Sequence, residues 1–147
     1  MVEITRHFTV SAYIIYDNKV LLHRHKKLDI LLPPGGHIER DELPVEAILR
    51  EIKEEAGVEV ELCNSNKEYD FLDSTELNRG EHLNLHNINE FHQHMDFVFY
   101  AKAKSSQLNP EEDTKMNWYS REDIEKSNNI KDIVKIYALE ALEKLKE

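Results

Sequence analysis

Glu51, Glu54 and Glu55 are the residues of this chain whose type and spacing most directly prescribe chemistry. They stand at i, i+3 and i+4, and residues three and four apart share one face of a helix. Three carboxylates converging on one face repel each other, and a helix gains nothing from them unless a cation arrives. Hard divalent cations such as Mg²⁺ take oxygen ligands and share them with substrate phosphates. The trio therefore reads as a metal platform.

The neighbouring residues supply the elements that such a platform needs. Pro33 and Pro34 stop a preceding strand, and Gly35 and Gly36 free the backbone to turn and expose carbonyls. Pro44 suits a first helical turn, where its missing N–H costs nothing. The pattern predicts a helix from Val45 to about Ala56, with Val45, Ile48, Leu49 and Ile52 on its apolar stripe. Gly57 is placed to end it in a left-handed cap. Leu43 falls at the N-cap, where Ser, Thr or Asp would be worth ~1 kcal/mol more.

Gly36, five residues, Glu42, seven residues and then Arg50-Glu51-Ile52-Lys53-Glu54-Glu55-Ala56-Gly57-Val58 together resemble a complete Nudix box. A strand pair before it and Trp118-Tyr119-Ser120 after it extend the likeness more loosely. The resemblance implies an α/β fold, an α/β/α sandwich around a mixed sheet, spanning residues 1–147 as a single domain. It also implies hydrolysis of a nucleoside diphosphate linked to another group, with Mg²⁺ or Mn²⁺ as cofactor. Carried onto this chain, Glu51, Glu54 and Glu55 are the metal ligands, with the Gly35 carbonyl adding a backbone oxygen. Glu51 is also the position tied to water activation. Arg50 holds a neighbouring glutamate by charge-assisted hydrogen bonds, and Glu42 closes that network from the loop side. The implied step is in-line attack of an activated water on phosphorus.

Family members often use a further glutamate in a loop before the last core strand. Glu112, six residues before Trp118, matches that placement. Glu111 is the adjacent alternative, and a solvated acidic turn after Pro110 is the competing explanation. Arg24, in the basic run His23 to Lys27, is a candidate phosphate contact against an equal case for a solvated strand end. His37, at a variable position inside the box, is a candidate accessory contact to substrate.

A chain of 147 residues with 40% hydrophobic content suffices for one core. Its net charge of −10, from 29 acidic and 19 basic residues, argues against binding a nucleic acid duplex. An acidic protein acting on an anionic substrate needs metal to reverse the local field. No apolar run reaches the ~20 residues of a membrane span, and no signal-peptide succession opens the chain. Lone Cys63 suits a reducing cytoplasm and reads as a small strand-end residue. Homodimers are frequent in the family, so one is possible here.

Strands are expected at Phe8–Tyr16 and Val20–His25, joined by the turn Asp17-Asn18-Lys19. Leu28–Leu32 leads into the glycines, and short strands follow at Val58–Leu62 and Glu68–Leu72. Asn78–Phe91, polar and histidine-rich, reads as a long binding loop. Met95–Ala103 and Lys115–Tyr119 are the later strands. Ser120 to Asp123 forms a capping box with Asp for Glu, and Ile130–Leu145 is an amphipathic closing helix. His82 and His86, four apart, and His92 and His94, two apart, have ligand spacings. No cysteine or carboxylate set completes a zinc site in the sequence, so they read as solvated or substrate-touching loop histidines.

Substrate choice lies outside the box. The proline that marks ADP-ribose specialists is missing, because none lies between Pro44 and Pro110. Ser74, Thr75 and Glu76 occupy the neighbourhood of the tyrosine that marks dinucleoside polyphosphate specialists. These absences lean toward a MutT-like enzyme acting on a (d)NTP or related nucleotide. An ADP-ribose or nucleotide-sugar pyrophosphatase and a non-catalytic nucleotide-binding module are the alternatives. A related isoprenoid diphosphate isomerase would need a catalytic core cysteine, for which Cys63 is poorly placed.

Overall fold

The computed structural model describes residues 3–64 and 69–147. Its strands are β1 (Thr5–Tyr16), β2 (Lys19–Arg24), β3 (Leu31–Leu32), β4 (Gly35–His37), β5 (Val60–Leu62), β6 (His82–Asn89), β7 (His92–Ala103) and β8 (Met116–Ser120). The helices are α1 (Pro44–Glu55), α2 (Arg121–Lys126) and α3 (Asp132–Lys144). One mixed sheet runs β3-β2-β1-β7-β5, with β4 on β1, β6 on β7 and β8 on β2. Its spine is the parallel ladder of β1 and β7, from Thr5 opposite His92 to Ile15 opposite Lys102.

Alternation along the two spine strands builds the layers. Val10, Ala12, Ile14, Phe99 and Ala101 pack with Ala47, Ile48 and Ile52 of α1 on one face. Tyr13, Ile15, Val98 and Tyr100 pack with Val134, Ala138 and Ala141 of α3 on the other. Successive strand residues point to opposite faces, so a strand apolar on both sides fills two cores. The result is the expected α/β/α sandwich.

Most expected elements form, with four differences. Asn78–Phe91 is not a loop: β6 pairs antiparallel with β7 from His82–Val98 to Asn89–His92. Its alternation is inverted, with Leu83 and Leu85 exposed and His82, Asn84 and His86 half-covered, because its inner face borders an open cleft. Glu68–Leu72 is not a strand: from Tyr69 onward it offers a single bridge, Asp70 to Thr75, while Glu68 lies outside the described residues. Both spine strands begin earlier than expected, at Thr5 and His92. Leu49 leaves the apolar stripe of α1 for solvent.

Cys63 follows β5 and packs against the α3-side core, where burial pushes its thiol pKa up. That is a packing thiol rather than a nucleophile. No helix among the described residues is long and apolar enough to cross a membrane.

Candidate active site

Helix α1 is held at both ends without a good N-cap residue. Leu43 offers no side-chain acceptor, and the Glu46 carboxylate instead accepts from the Leu43 N–H at 2.8 Å. Gly57 adopts φ +61 and donates to the Ile52 carbonyl at 2.8 Å, the left-handed cap that the sequence predicts. A Cβ at Gly57 would overlap the Asn109 carbonyl.

Arg50 organises the carboxylate face. Its Nε donates to Glu42 Oε2 at 2.8 Å and its Nη2 to Glu42 Oε1 at 3.0 Å, a two-pronged pair. Nη1 donates to Glu51 Oε1 at 2.8 Å and to Glu54 Oε2 at 3.4 Å, and Nη2 also reaches the His37 carbonyl at 3.0 Å. Glu42 in turn accepts the Glu39 N–H at 3.0 Å, closing the network from the loop side. The Arg50 hydrogen bonds hold the Glu42 carboxyl below its usual range. Arg50, surrounded by carboxylates, is held protonated even more firmly than a free arginine.

Glu55 and Glu51 also face the glycine turn. Glu55 Oε1 accepts the Gly35 N–H at 2.8 Å, which joins helix and strand β4. A Cβ on Gly36 would strike the Glu51 carboxylate, so this position keeps the space that Glu51 fills. A Cβ on Gly35 would overlap the Val10 carbonyl across the sheet. Burial, with Glu51, Glu112 and Glu54 as neighbouring charges, pushes Glu55 up to about 7 against the pull of the Gly35 hydrogen bond. Glu51 also rises, from burial and the charges of Glu54 and Glu112, with Arg50 opposing. Such a surplus of half-buried oxygen donors fits a hard divalent cation.

Glu112 is brought to the same cluster, because its charge acts on both Glu51 and Glu55. The segment 109–114 is stitched to the end of α1. The Glu111 and Glu112 N–H groups donate to the Glu54 carbonyl at 2.8 and 3.1 Å, and Thr114 Oγ1 to the Glu55 carbonyl at 2.6 Å. These bonds satisfy carbonyls that a helix end leaves open.

Of the two remaining candidates, Arg24 stands apart from this cluster, whereas His37 lines the cleft beside it. Arg24 bonds Asp29 at 2.6 Å in the β2–β3 turn and lines a separate groove with Leu31, Trp118 and Tyr119. His37 gives its carbonyl to Arg50, but its ring joins His7 and His94, with centroids 5.4 and 4.9 Å away.

Beside Gly35 and Gly36 opens a cleft of about 220 Å³, walled by β1, β6, β7 and the start of α3. Its polar residues include Asn84, His86, Asp96, Lys131 and Tyr137, none of which the motif identifies. Asp96 is locked by Thr9 Oγ1 at 2.9 Å and Ser11 Oγ at 2.6 Å. Burial raises its pKa. The available signal was polar alternation: Thr9-x-Ser11 inside the apolar strand β1, and His82-x-Asn84-x-His86 along β6. His82, four residues from His86, bonds Glu140 of α3 at 2.6 Å instead of completing a ligand pair.

This geometry of sheet, glycine turn and acidic helix defines a class. A family model described as NUDIX domain matches residues 5–139. A Nudix-family hydrolase from Clostridium perfringens superposes with a TM-score of 0.83 at 41% identity, covering 97% of this chain and 99% of that one. A MutT protein from Methanosarcina mazei Go1 has a TM-score of 0.71 at 17% identity, with 100% of both chains covered. An ADP-ribose pyrophosphatase from Streptococcus suis 89-1591 has a TM-score of 0.61 at 16% identity, covering 97% and 94%. The latter two likenesses show the fold alone. No curated protein sequence matches. The chain belongs to the Nudix family and is a hydrolase.

Proposed function

We propose that this protein is a Mg²⁺-dependent pyrophosphohydrolase of a nucleoside diphosphate-linked substrate, with a (d)NTP or related nucleotide favoured. The carrying observation is the joined face of Glu51 and Glu54, held by Arg50, and Glu55, closed on Gly35, at the rim of a cleft. Carboxylate oxygens of these three residues, with the Gly35 carbonyl, would hold the metal. Mg²⁺ there supplies Lewis-acid polarisation of phosphate oxygens and lowers the pKa of water. Mn²⁺ suits the same oxygen set.

The protein's own groups do the positioning. Arg50 fixes the rotamers of Glu51 and Glu42 through a planar fork that lysine cannot imitate. Gly36 leaves room for the Glu51 carboxylate. Glu51, with its pKa raised, and Glu112 beside it are the candidates to take the proton from the attacking water. The nucleoside enters the cleft, where Asn84, His86 and Lys131 offer polar contacts. The sequence's lack of the ADP-ribose marker proline supports the nucleotide preference.

The test is a panel of (d)NTPs, ADP-ribose and nucleotide sugars with Mg²⁺, followed by release of phosphate, pyrophosphate or nucleoside monophosphate. Turnover of one nucleotide class that vanishes with chelator and in Glu51→Gln supports this reading. Binding of nucleotide without any product would establish a binding module instead.

A further inference from the structure

Four of the eight histidines gather where the sheet meets β4. His7 comes from β1, His37 from β4, and His92 and His94 from β7. The ladders fix their backbones: His7 is the register partner of His94, Thr5 of His92, and Thr9 of His37. One ligand nitrogen from each ring can be chosen so that all four lie within 4.8 Å of one another. His92 Nε2 and His94 Nε2 are 3.1 Å apart. Among the described residues, none of the four rings makes an ion pair with a carboxylate. Their neighbours are chiefly each other, edge to face at 4.6 to 5.4 Å for four of the ring pairs.

Such a set is poorly suited to Mg²⁺ and well suited to Zn²⁺, Ni²⁺ or Cu²⁺, for which imidazole is a preferred ligand. Tetrahedral Zn–N bonds of about 2.0–2.1 Å place ligand nitrogens roughly 3.3–3.4 Å apart. The His92–His94 pair already approaches that spacing. His7 and His37 are exposed, so side-chain rotation can close the remaining gap without moving strands. We infer that His7, His37, His92 and His94 form a second metal site, which takes one late first-row divalent ion through imidazole nitrogens and shares no ligand with the carboxylate face. An ion bound there ties β1, β4 and β7 together. It also places positive charge at the rim of the cleft, which His37 and His94 both line. This inference stands independently of what the carboxylate face hydrolyses.

Calorimetric titration of chelator-stripped protein with ZnCl₂, in excess Mg²⁺, tests it. The expected result is one Zn²⁺ per chain, kept in Glu54→Gln/Glu55→Gln and weakened by at least about 100-fold in His92→Gln/His94→Gln. Co²⁺ should give the intense visible bands of a four-coordinate site in the wild type alone of that histidine pair. His7→Gln alters one exposed ligand and should weaken binding about 10-fold, which decides the matter if the double variant does not fold. Absence of Zn²⁺ uptake, unchanged uptake in a folded histidine variant, or loss of uptake in the carboxylate variant would overturn the site.

Discussion

Glu51, Glu54 and Glu55 lie within two turns of one helix, whereas His7, His37, His92 and His94 come from three strands spread across the chain. Both groups concentrate like donors, but the first carries its own counterweight. Arg50 sits among the carboxylates and bonds Glu42, Glu51 and Glu54. Among the described residues the histidine group has no such partner, and burial together with the surrounding histidines pushes His94 down to about 4. A charged cluster needs a built-in restraint to hold its shape before a cation binds. Imidazoles carried on paired strands need only the sheet that places them.

The largest test of this contrast is Glu51→Gln, expected to lower kcat/KM on the order of a thousandfold, or about 4 kcal/mol of transition-state stabilisation. The thermal midpoint should change little, and an activity loss matched by unfolding would break the assignment. His92→Gln, on the other cluster, should leave far more turnover in Mg²⁺ alone.

Arg50→Lys comes next, with an expected 10- to 100-fold loss of about the size seen when supports of metal ligands are removed. Lysine keeps the charge but cannot bond Glu42 and Glu51 through one planar fork. Full activity in this variant would mean that charge alone restrains the carboxylates.

The two clusters should also respond to pH with opposite signs in chelator-treated protein. Glu55 is raised to about 7, so the folded state holds its proton more tightly than the unfolded chain does. Its contribution is present below the ordinary glutamate range and is lost as pH rises toward 7. His94 is lowered to about 4, so its contribution is present above 6.5 and is lost as pH falls toward 4. Urea unfolding across pH 4 to 7 should therefore show stability rising more steeply with pH in Glu55→Gln, and falling more steeply in His94→Gln. Parallel curves for the two variants would contradict these environments.

A smaller effect separates the cap glycine of α1 from a surface arginine. Gly57→Ala should cost about 1–2 kcal/mol of stability or more, because L-residues resist positive φ and the methyl meets Asn109. Arg24→Ala, remote from both clusters and joined to exposed Asp29, should change stability by under about 1 kcal/mol and turnover by less than twofold.

The glutamate face was legible because helical period converts sequence spacing directly into spatial proximity. Glycine and proline punctuation located its frame, and Gly57 caps the helix where expected. Strand β6 was read as a loop for the converse reason. Its half-covered side carries His82, Asn84 and His86 toward a cleft, and its leucines face outward. Hydrophobic alternation normally signals which side is covered, and here it points the other way.

Residues close along the chain and bound to one helix had their shared face determined by the sequence itself. The meeting of His7 with His94, and of both with His37, was decided only by the tertiary structure. Parallel pairing of β1 with β7 brings together positions far apart in the chain. Backbone hydrogen bonds are the same for every residue type, so no local signal in either strand states which partner, or which register, the other will supply.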